Sequence, residues 1–184
     1  MASNILEKKT KLPFEVLIDQ KKIHKRVAEM AEEITREYSD KLPVFVGVLK
    51  GCLIFMADLI RQCNFPLEIE FISASSYREG TGSNDFLVLG GASTTELKDR
   101  HVIIVEGIID SGRTAEAILT HLKLMEPASL ELVTLLDKPG SHRNRLDIKQ
   151  IGFSIGNEFV IGYGLDNTQK FRNLPYIGRV LDEK

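Results

Sequence analysis

The sequence predicts an α/β fold, in which helices flank a Rossmann-like parallel sheet and a small N-terminal and C-terminal hood subdomain adjoins it. Three observations predict this fold. Buried strands alternate with helices from residue 23 to residue 136, glycine turns follow two of the strands, and the pattern becomes short and irregular after Pro139. The 184 residues suit a single domain, with a core over about 20–140 and a hood over about 1–19 and 141–184.

The first part of the core is predicted to be a helix, a strand and a second helix. Apolar residues at 23, 27, 30, 31, 34 and 38 form one stripe, which predicts an amphipathic helix over 23–38. The β-branched and aromatic run at 42–49 predicts a buried strand that ends at Lys50-Gly51. The apolar stretch that follows, through Ile60, predicts a buried helix.

The second part of the core is predicted to continue the alternation. Alternating apolar and polar residues at 67–76 indicate a half-buried strand, and the turn formers at 77–85 indicate a long mobile loop. Strands are predicted over 101–105 and 130–136, with a helix over 113–125 between them. We therefore expect a parallel sheet that helices cover.

Composition restricts the possible partners. The chain has 24 basic and 26 acidic residues, so its net charge of -2 provides no overall attraction for nucleic acid or anionic lipid. No stretch approaches the roughly 18 apolar residues of a membrane span. Cys52 and Cys63 lie among apolar residues, which favours buried thiols over a disulfide or a metal site. We expect a cytoplasmic protein with neither a nucleic-acid nor a membrane partner.

The segment at 102–119, VIIVEGIIDSGRTAEAIL, carries the most chemical information. Backbone N–H groups of Asp110 to Thr114, at the start of a helix, can surround a phosphate, and Gly112 permits close approach. Glu106 and Asp110 follow a strand at the edge where open α/β sheets bind ligands, and their carboxylates can accept hydrogen bonds from ribose hydroxyls. Taken alone, the segment would also suit a serine-capped helix after a buried strand.

This segment resembles the phosphoribosyl pyrophosphate signature of type I phosphoribosyltransferases. The blocks GVLKG at 47–51, SSY at 75–77, LLDKP at 135–139, EFVIGYGLD at 158–166 and FRNLPYIG at 171–178 occur in the family's order. Together they resemble hypoxanthine-guanine phosphoribosyltransferases of the bacterial kind, over about residues 12–181. The resemblance implies transfer of a phosphoribosyl group from phosphoribosyl pyrophosphate to a 6-oxopurine base, with magnesium as cofactor, by a homodimer or homotetramer.

The resemblance also implies roles for residues. It implies a cis peptide between Leu49 and Lys50, a general base at Asp110, and a closing lid at Ser76 and Tyr77. The expected phosphoribosyl pyrophosphate site comprises Lys50, Gly51, Glu106, Gly107, Asp110, Ser111, Gly112, Arg113, Thr114 and Arg172. The expected purine site comprises Lys138, Phe159, Val160 and Asp166, and the expected magnesium ligands are Glu106 and Asp166.

The chemistry of Lys138 predicts which purine bases the protein accepts. A lysine ammonium is a donor only, so it can bind the 6-oxo acceptor of hypoxanthine or guanine but has nothing to offer the amino group of adenine. We therefore expect adenine to be a poor substrate.

Gly107 departs from the family pattern, which has a second acid at this position. The sequence suggests a water-sized gap there and predicts that Gly107→Asp would improve the enzyme. Two alternatives remain open: a regulator of the same fold that binds nucleotide or RNA without turnover, and a transferase that prefers another base such as xanthine.

Overall fold

The computed structural model describes residues 12–78, 85–90 and 95–181. The strands in these ranges are β1 (Phe14–Ile18), β2 (Val44–Leu49), β3 (Glu68–Arg78), β4 (Asp85–Gly90), β5 (His101–Ile109), β6 (Ser129–Asp137), β7 (Gln150–Ser154), β8 (Val160–Ile161) and β9 (Ile177–Val180). The helices are α1 (Gln20–Tyr38), α2 (Leu53–Gln62) and α3 (Arg113–Lys123), and a short 3-10 helix spans Pro139–Ser141. The mixed α/β fold that the sequence predicts is confirmed.

The main sheet has six strands in the order β4-β3-β2-β5-β6-β7. Strands β3, β2, β5, β6 and β7 are parallel, and β4 pairs antiparallel with β3 at one edge. The chain passes from β2 to β3 on one side and later returns to place β5 on the other side of β2. Ligands of open α/β sheets bind at the carboxyl ends of strands where the order reverses in this way. The loops after β2 and β5 therefore flank the expected binding site.

The predicted first helix is confirmed together with its buried stripe. The six apolar positions of the stripe are the buried residues of α1: Ile23, Val27, Met30, Ala31, Ile34 and Tyr38. The helix begins slightly earlier than predicted because the Asp19 side chain caps it by accepting a hydrogen bond from the Lys22 N–H, at 3.0 Å. These residues pack with α2 on one face of the main sheet, while α3 packs on the other face.

The end of β3, at Tyr77 and Arg78, differs from the prediction. The strand continues to Arg78 and pairs with β4, with Tyr77 opposite Phe86. The segment at 77–85 was predicted to be a loop because its turn formers outweigh its short strand pattern. Residues 79–84 of that segment lie outside the described residues.

Strand β7 also differs from the prediction, because residues 150–154 belong to the main sheet and not to the hood. This edge strand lacks a continuous apolar run. Two of its carbonyl oxygens accept hydrogen bonds from α1, where the Arg26 guanidinium donates to Ile151 and Gly152 at 2.9 and 3.2 Å. The contact depends on residues more than a hundred positions apart, so no local pattern predicts it.

A second sheet of three strands, in the order β1-β9-β8, combines both ends of the described chain. Its small core contains Phe14, Ile161, Phe171 and Leu174. Both free cysteines lie near the main core, and Cys52 is buried. In the described ranges, every helix is too short or too polar to cross a bilayer.

Candidate active site

A cavity of about 230 Å³ opens at the carboxyl ends of β2 and β5, where the strand order reverses. Its lining combines apolar strand ends with the loop that leads into α3. The lining residues are Val48, Leu49, Gly51, Glu106, Ile108, Ile109, Asp110, Ser111, Gly112, Thr114 and Ala115. Most of the residues predicted to bind the sugar phosphate are therefore gathered at one point.

The loop from Asp110 to Thr114 leads into the amino end of α3 through a left-handed glycine. Gly112 precedes α3 with φ of 81°, a left-handed conformation that residues with a side chain rarely adopt. The first N–H groups of a helix lack intrahelical acceptors, and the helix dipole is positive at this end. Arg113, the first residue of α3, is exposed. The loop can therefore surround an anion with backbone donors.

A segment that the sequence did not single out supports this loop. The Arg143 N–H donates to the Ser111 oxygen at 3.2 Å, and the Asn144 amide donates to both carboxylate oxygens of Glu116 at 2.9 and 3.2 Å. A Cβ at Gly112 would lie 2.7 Å from Leu146. The glycine thus serves both the backbone turn and this close packing, and the irregular sequence around 143–146 gave no signal of it.

Glu106 lies in the buried part of β5 and is only 8% exposed. Burial raises the pKa of its carboxyl group to about 8, although the Gly107 N–H, which donates to it, acts in the opposite direction. The carboxylate form would be stabilised by any ligand that brings hydroxyl donors or positive charge into the cavity.

The expectation of a water-sized gap at Gly107 is wrong. A Cβ at this position would lie 2.7 Å from the Gly51 oxygen, 2.8 Å from the Gly51 carbonyl carbon and 3.2 Å from the Cys52 nitrogen. All three are backbone atoms of the loop that follows β2. That loop occupies the space which an aspartate side chain would need, so Gly107→Asp would displace it and is not expected to improve the enzyme.

The loop after β2 contains the predicted cis peptide between Leu49 and Lys50. The Gly51 carbonyl approaches Gly107 from one side and Gly164, with φ of 100°, from the other. Neither glycine could carry a side chain without contacting this carbonyl. The position of the loop therefore depends on both glycines.

Asp110 and Lys138, predicted as general base and base-recognition residue, are in direct contact. The Lys138 ammonium donates to Asp110 Oδ2 at 2.8 Å, and the Lys138 side chain is 7% exposed against 58% for Asp110. Adjacent strands bring them together, since Ile109 at the end of β5 is in register with Asp137 of β6. The Lys138 N–H also donates to the Ile109 oxygen at 2.9 Å.

Two contacts around Lys138 were missed by the sequence reasoning. His142 forms a hydrogen bond through Nε2 with the buried carboxylate of Asp137 at 2.8 Å. The Ser141 hydroxyl donates to the Asn157 oxygen at 2.9 Å. These contacts connect the loop that carries Lys138 to the segment before Phe159. A histidine five residues after an aspartate was the only available signal, and such a spacing is not specific.

Phe159 and Val160, two residues of the expected purine site, differ in exposure. Phe159 is 54% exposed, whereas Val160, the first residue of β8, is buried. An exposed aromatic ring is available to stack on a planar base, and the buried valine fixes the backbone beside it.

A polar cluster joins residues 164–172 to the loop after β2. Arg172 Nη2 contacts Asp166 Oδ1 at 2.7 Å, and its Nη1 donates to the Gly164 oxygen at 2.7 Å. The Lys50 ammonium and Arg172 both donate to Gln169 Oε1, each at 3.3 Å. The sequence predicted Lys50, Asp166 and Arg172 but not Gln169, which an exposed loop glutamine gave no reason to select.

The remaining predicted residues have less structural description. Ser76 and Tyr77 lie on β3 opposite Leu87 and Phe86, and their side chains are outside the described part of the structure. Among the described residues, no three or more histidine, cysteine, aspartate or glutamate side chains come together as a metal site. Glu106 and Asp166 thus lie apart from any such cluster.

Comparison with known proteins identifies relatives over most of the chain. The model of the phosphoribosyl transferase domain family matches residues 15–168. The chain is 44% identical to the hypoxanthine phosphoribosyltransferase of Haemophilus influenzae over 173 residues, which cover 92% of this chain and 97% of that protein.

Solved structures agree. A crystal structure of a hypoxanthine phosphoribosyltransferase from Staphylococcus aureus matches with a TM-score of 0.87 and 37% identity, covering 95% of this chain and 94% of that one. A hypoxanthine-guanine phosphoribosyltransferase from Bacillus anthracis matches with a TM-score of 0.84 and 38% identity, covering 92% and 99%.

Proposed function

The chain belongs to the phosphoribosyl transferase domain family, and we propose that it is a purine salvage enzyme. It transfers the 5-phosphoribosyl group from phosphoribosyl pyrophosphate to hypoxanthine or guanine, giving IMP or GMP and pyrophosphate. The observation that carries the proposal is the contact of Lys138 with Asp110 beside the amino end of α3. Lys138 as the donor to the base, Asp110 as the proton acceptor and the 110–114 loop as the phosphate site would then lie next to one another.

We assign the sugar phosphate to the cavity at the reversal of strand order. The 5-phosphate would be bound by the N–H groups of the 110–114 loop and the hydroxyls of Ser111 and Thr114, which line the cavity. Glu106 would accept hydrogen bonds from the ribose hydroxyls as a carboxylate. The family pattern has acids at both positions 106 and 107. Because position 107 is glycine here, Glu106 would be the one carboxylate of the two positions.

Pyrophosphate would bind between the loop after β2 and the hood. Lys50, the Gly51 backbone and Arg172 would supply its donors, and an arginine can bind a phosphate with two parallel N–H groups. Lys50 and Arg172 already meet at Gln169, which supports a shared ligand for the two cations.

Base recognition would follow from Lys138 and Phe159. Lys138 would exchange Asp110 for the purine O6, and the base would stack on the exposed Phe159 ring. Adenine offers a donor at this position and cannot replace Asp110 as the acceptor of Lys138, so it would lack this hydrogen bond and be bound poorly.

The exchange of partners by Lys138 also prepares Asp110 for catalysis. The purine nitrogen forms a bond to the anomeric carbon as the bond to pyrophosphate breaks, through a transition state with oxocarbenium character. Once Lys138 moves to the base, Asp110 can accept the purine proton or stabilise the protonated base. Lys50 and Arg172 would stabilise the charge that develops on pyrophosphate.

We propose magnesium as the cofactor. This ion commonly binds through one or two carboxylates together with substrate phosphates and water, so it does not need a cluster of several protein ligands. Glu106 and Asp166 have the required chemistry and lie on the sugar and hood sides of the site. When bound, the ion would neutralise charge on the phosphates and orient them.

We further propose a homodimer or homotetramer. Its support is an exposed apolar face on β3, where Ile69 and Phe71 are 42% and 39% exposed. Leu53 and Ile54 at the start of α2 are also exposed, at 49% and 37%. We also propose a cytoplasmic location, which the two free cysteines support because thiols stay reduced there.

Turnover by the purified protein tests the proposal. Phosphoribosyl pyrophosphate and magnesium would be supplied with hypoxanthine, guanine, xanthine or adenine in turn, and nucleotide and pyrophosphate would be measured together. We expect stoichiometric products with hypoxanthine and guanine. Nucleotide binding without product would instead favour a regulator, and a clear preference for xanthine would favour the other transferase.

A further inference from the structure

Gln169 lies at the tip of a tight turn in the hood, and its conformation is unusual. Asn167 and Lys170 pair across the turn, while Thr168 and Gln169 have positive φ values of 49° and 65°. Such conformations are uncommon outside glycine. The Gln169 N–H donates to Asp166 Oδ2 at 2.7 Å. The turn therefore directs this side chain towards Lys50 and Arg172, although the residue is exposed.

The amide oxygen of Gln169 is shared by two cations from different parts of the fold. Lys50, in the loop after β2, and Arg172, in the hood, each donate to it at 3.3 Å. Asp166 contributes one negative charge to the cluster through Arg172, at 2.7 Å. Two cations against one carboxylate leave a net positive charge, which suits an incoming polyanion.

We propose that Gln169 is a positioning residue of the pyrophosphate subsite, an inference that rests on the proposed function. Its neutral amide keeps the two cations together without pairing with their charge. Long hydrogen bonds to a neutral acceptor are weak, so Lys50 and Arg172 can exchange Gln169 for phosphate oxygens. A carboxylate at this position would hold both cations more strongly and would repel the ligand.

The substitution Gln169→Glu separates this role from a structural one. Glutamate has nearly the same size and keeps an acceptor, so a residue needed only to fix the turn would tolerate the change. The proposal predicts the opposite result. The Kd for magnesium pyrophosphate and the KM for phosphoribosyl pyrophosphate should each rise about tenfold or more, while the KM for hypoxanthine stays within about twofold.

Gln169→Met and Lys170→Gln complete the experiment. Methionine keeps the length but loses the acceptor, and should raise the Kd for magnesium pyrophosphate by about twofold to tenfold. Lys170→Gln is the matched control, because it lowers the net charge by one at the neighbouring exposed residue. Its Kd should stay within about twofold of that of the unaltered protein. Calorimetric titration with magnesium pyrophosphate gives these values without turnover, and thermal melting checks that each variant folds.

Each outcome decides the inference. It is overturned if Gln169→Glu binds magnesium pyrophosphate as tightly as the unaltered protein or more tightly, or if Lys170→Gln weakens binding equally. It is also overturned if the KM for hypoxanthine rises together with that for phosphoribosyl pyrophosphate. Absence of turnover in the unaltered protein would contradict the proposed function instead, and the pyrophosphate titration would still report on Gln169.

Discussion

Gly107→Ala should impair the enzyme by moving the loop that follows β2. The new Cβ would lie 2.7 Å from the Gly51 oxygen and 2.8 Å from its carbonyl carbon. Ordinary contacts begin near 3.4 Å, so the Gly51 peptide must move by about 0.7 Å for 2.7 Å to become 3.4 Å. The obstacle is backbone and cannot be relieved by rotating a side chain.

The expected loss follows from this displacement. Overpacking of this kind costs about 1 to 3 kcal/mol. A shift approaching 1 Å in a group that binds substrate can reduce the rate about a hundredfold. We therefore expect kcat/KM for phosphoribosyl pyrophosphate to fall roughly tenfold to hundredfold, with Gly107→Asp at least as impaired.

Steady-state kinetics with phosphoribosyl pyrophosphate varied, together with thermal denaturation, measure the effect. Gly140→Ala is the matched control, since its new Cβ would meet only the Asn157 side chain at 3.9 Å. That variant should retain full kcat/KM. If Gly107→Ala is as active and as stable as Gly140→Ala, or if Gly107→Asp is more active than the unaltered enzyme, the loop does not depend on Gly107 and the reasoning is refuted.

Three further substitutions have defined outcomes. Between pH 4.5 and about 8 the folded protein keeps a proton on Glu106 that the unfolded chain has already lost, so the free energy of unfolding should fall as the pH rises through this range. Urea unfolding at pH 5.5 and pH 8 measures this fall in the free energy of unfolding, and Glu106→Gln should reduce it by a few kcal/mol. An unchanged pH dependence in the variant would contradict the raised pKa. Asp110→Asn should lower kcat by about a hundredfold or more while the affinity for phosphoribosyl pyrophosphate changes little; an unaltered kcat would exclude Asp110 from proton transfer. Gly112→Ala should destabilise the protein by about 1 to 2 kcal/mol for its left-handed backbone alone, and a melting temperature equal to that of the unaltered protein would show that the turn relaxes.

Local patterns predicted the elements whose residues face the core. The stripe of α1 and the β-branched runs of β2, β5 and β6 are buried as their spacing indicated. The place of β7 in the main sheet was not predicted, because an edge strand that α1 contacts needs no continuous apolar run. The pairing of β3 with β4 was not predicted, because the segment that joins the two strands is rich in turn formers.

The candidate site was predicted as a set of residues but not as a set of contacts. The motif selected Asp110 and Lys138, yet their contact depends on the register of β5 with β6. The error at Gly107 has the same origin, because its environment comes from Gly51, a residue more than fifty positions earlier. Gln169 was missed because its role depends on the positions of Lys50 and Arg172 in space.

Base recognition by Lys138 is tested most directly by the ratio of kcat/KM for hypoxanthine to that for adenine, in the unaltered protein and in Lys138→Gln. Base recognition by Lys138 predicts a ratio of at least about a thousandfold in the unaltered protein, because the 6-amino group of adenine cannot replace Asp110 as the acceptor of Lys138 and so leaves Asp110 paired. It predicts that the ratio falls about tenfold or more in Lys138→Gln, whose amide can both donate and accept. Equal use of the two bases by the unaltered protein, or an undiminished ratio in the variant, would contradict it.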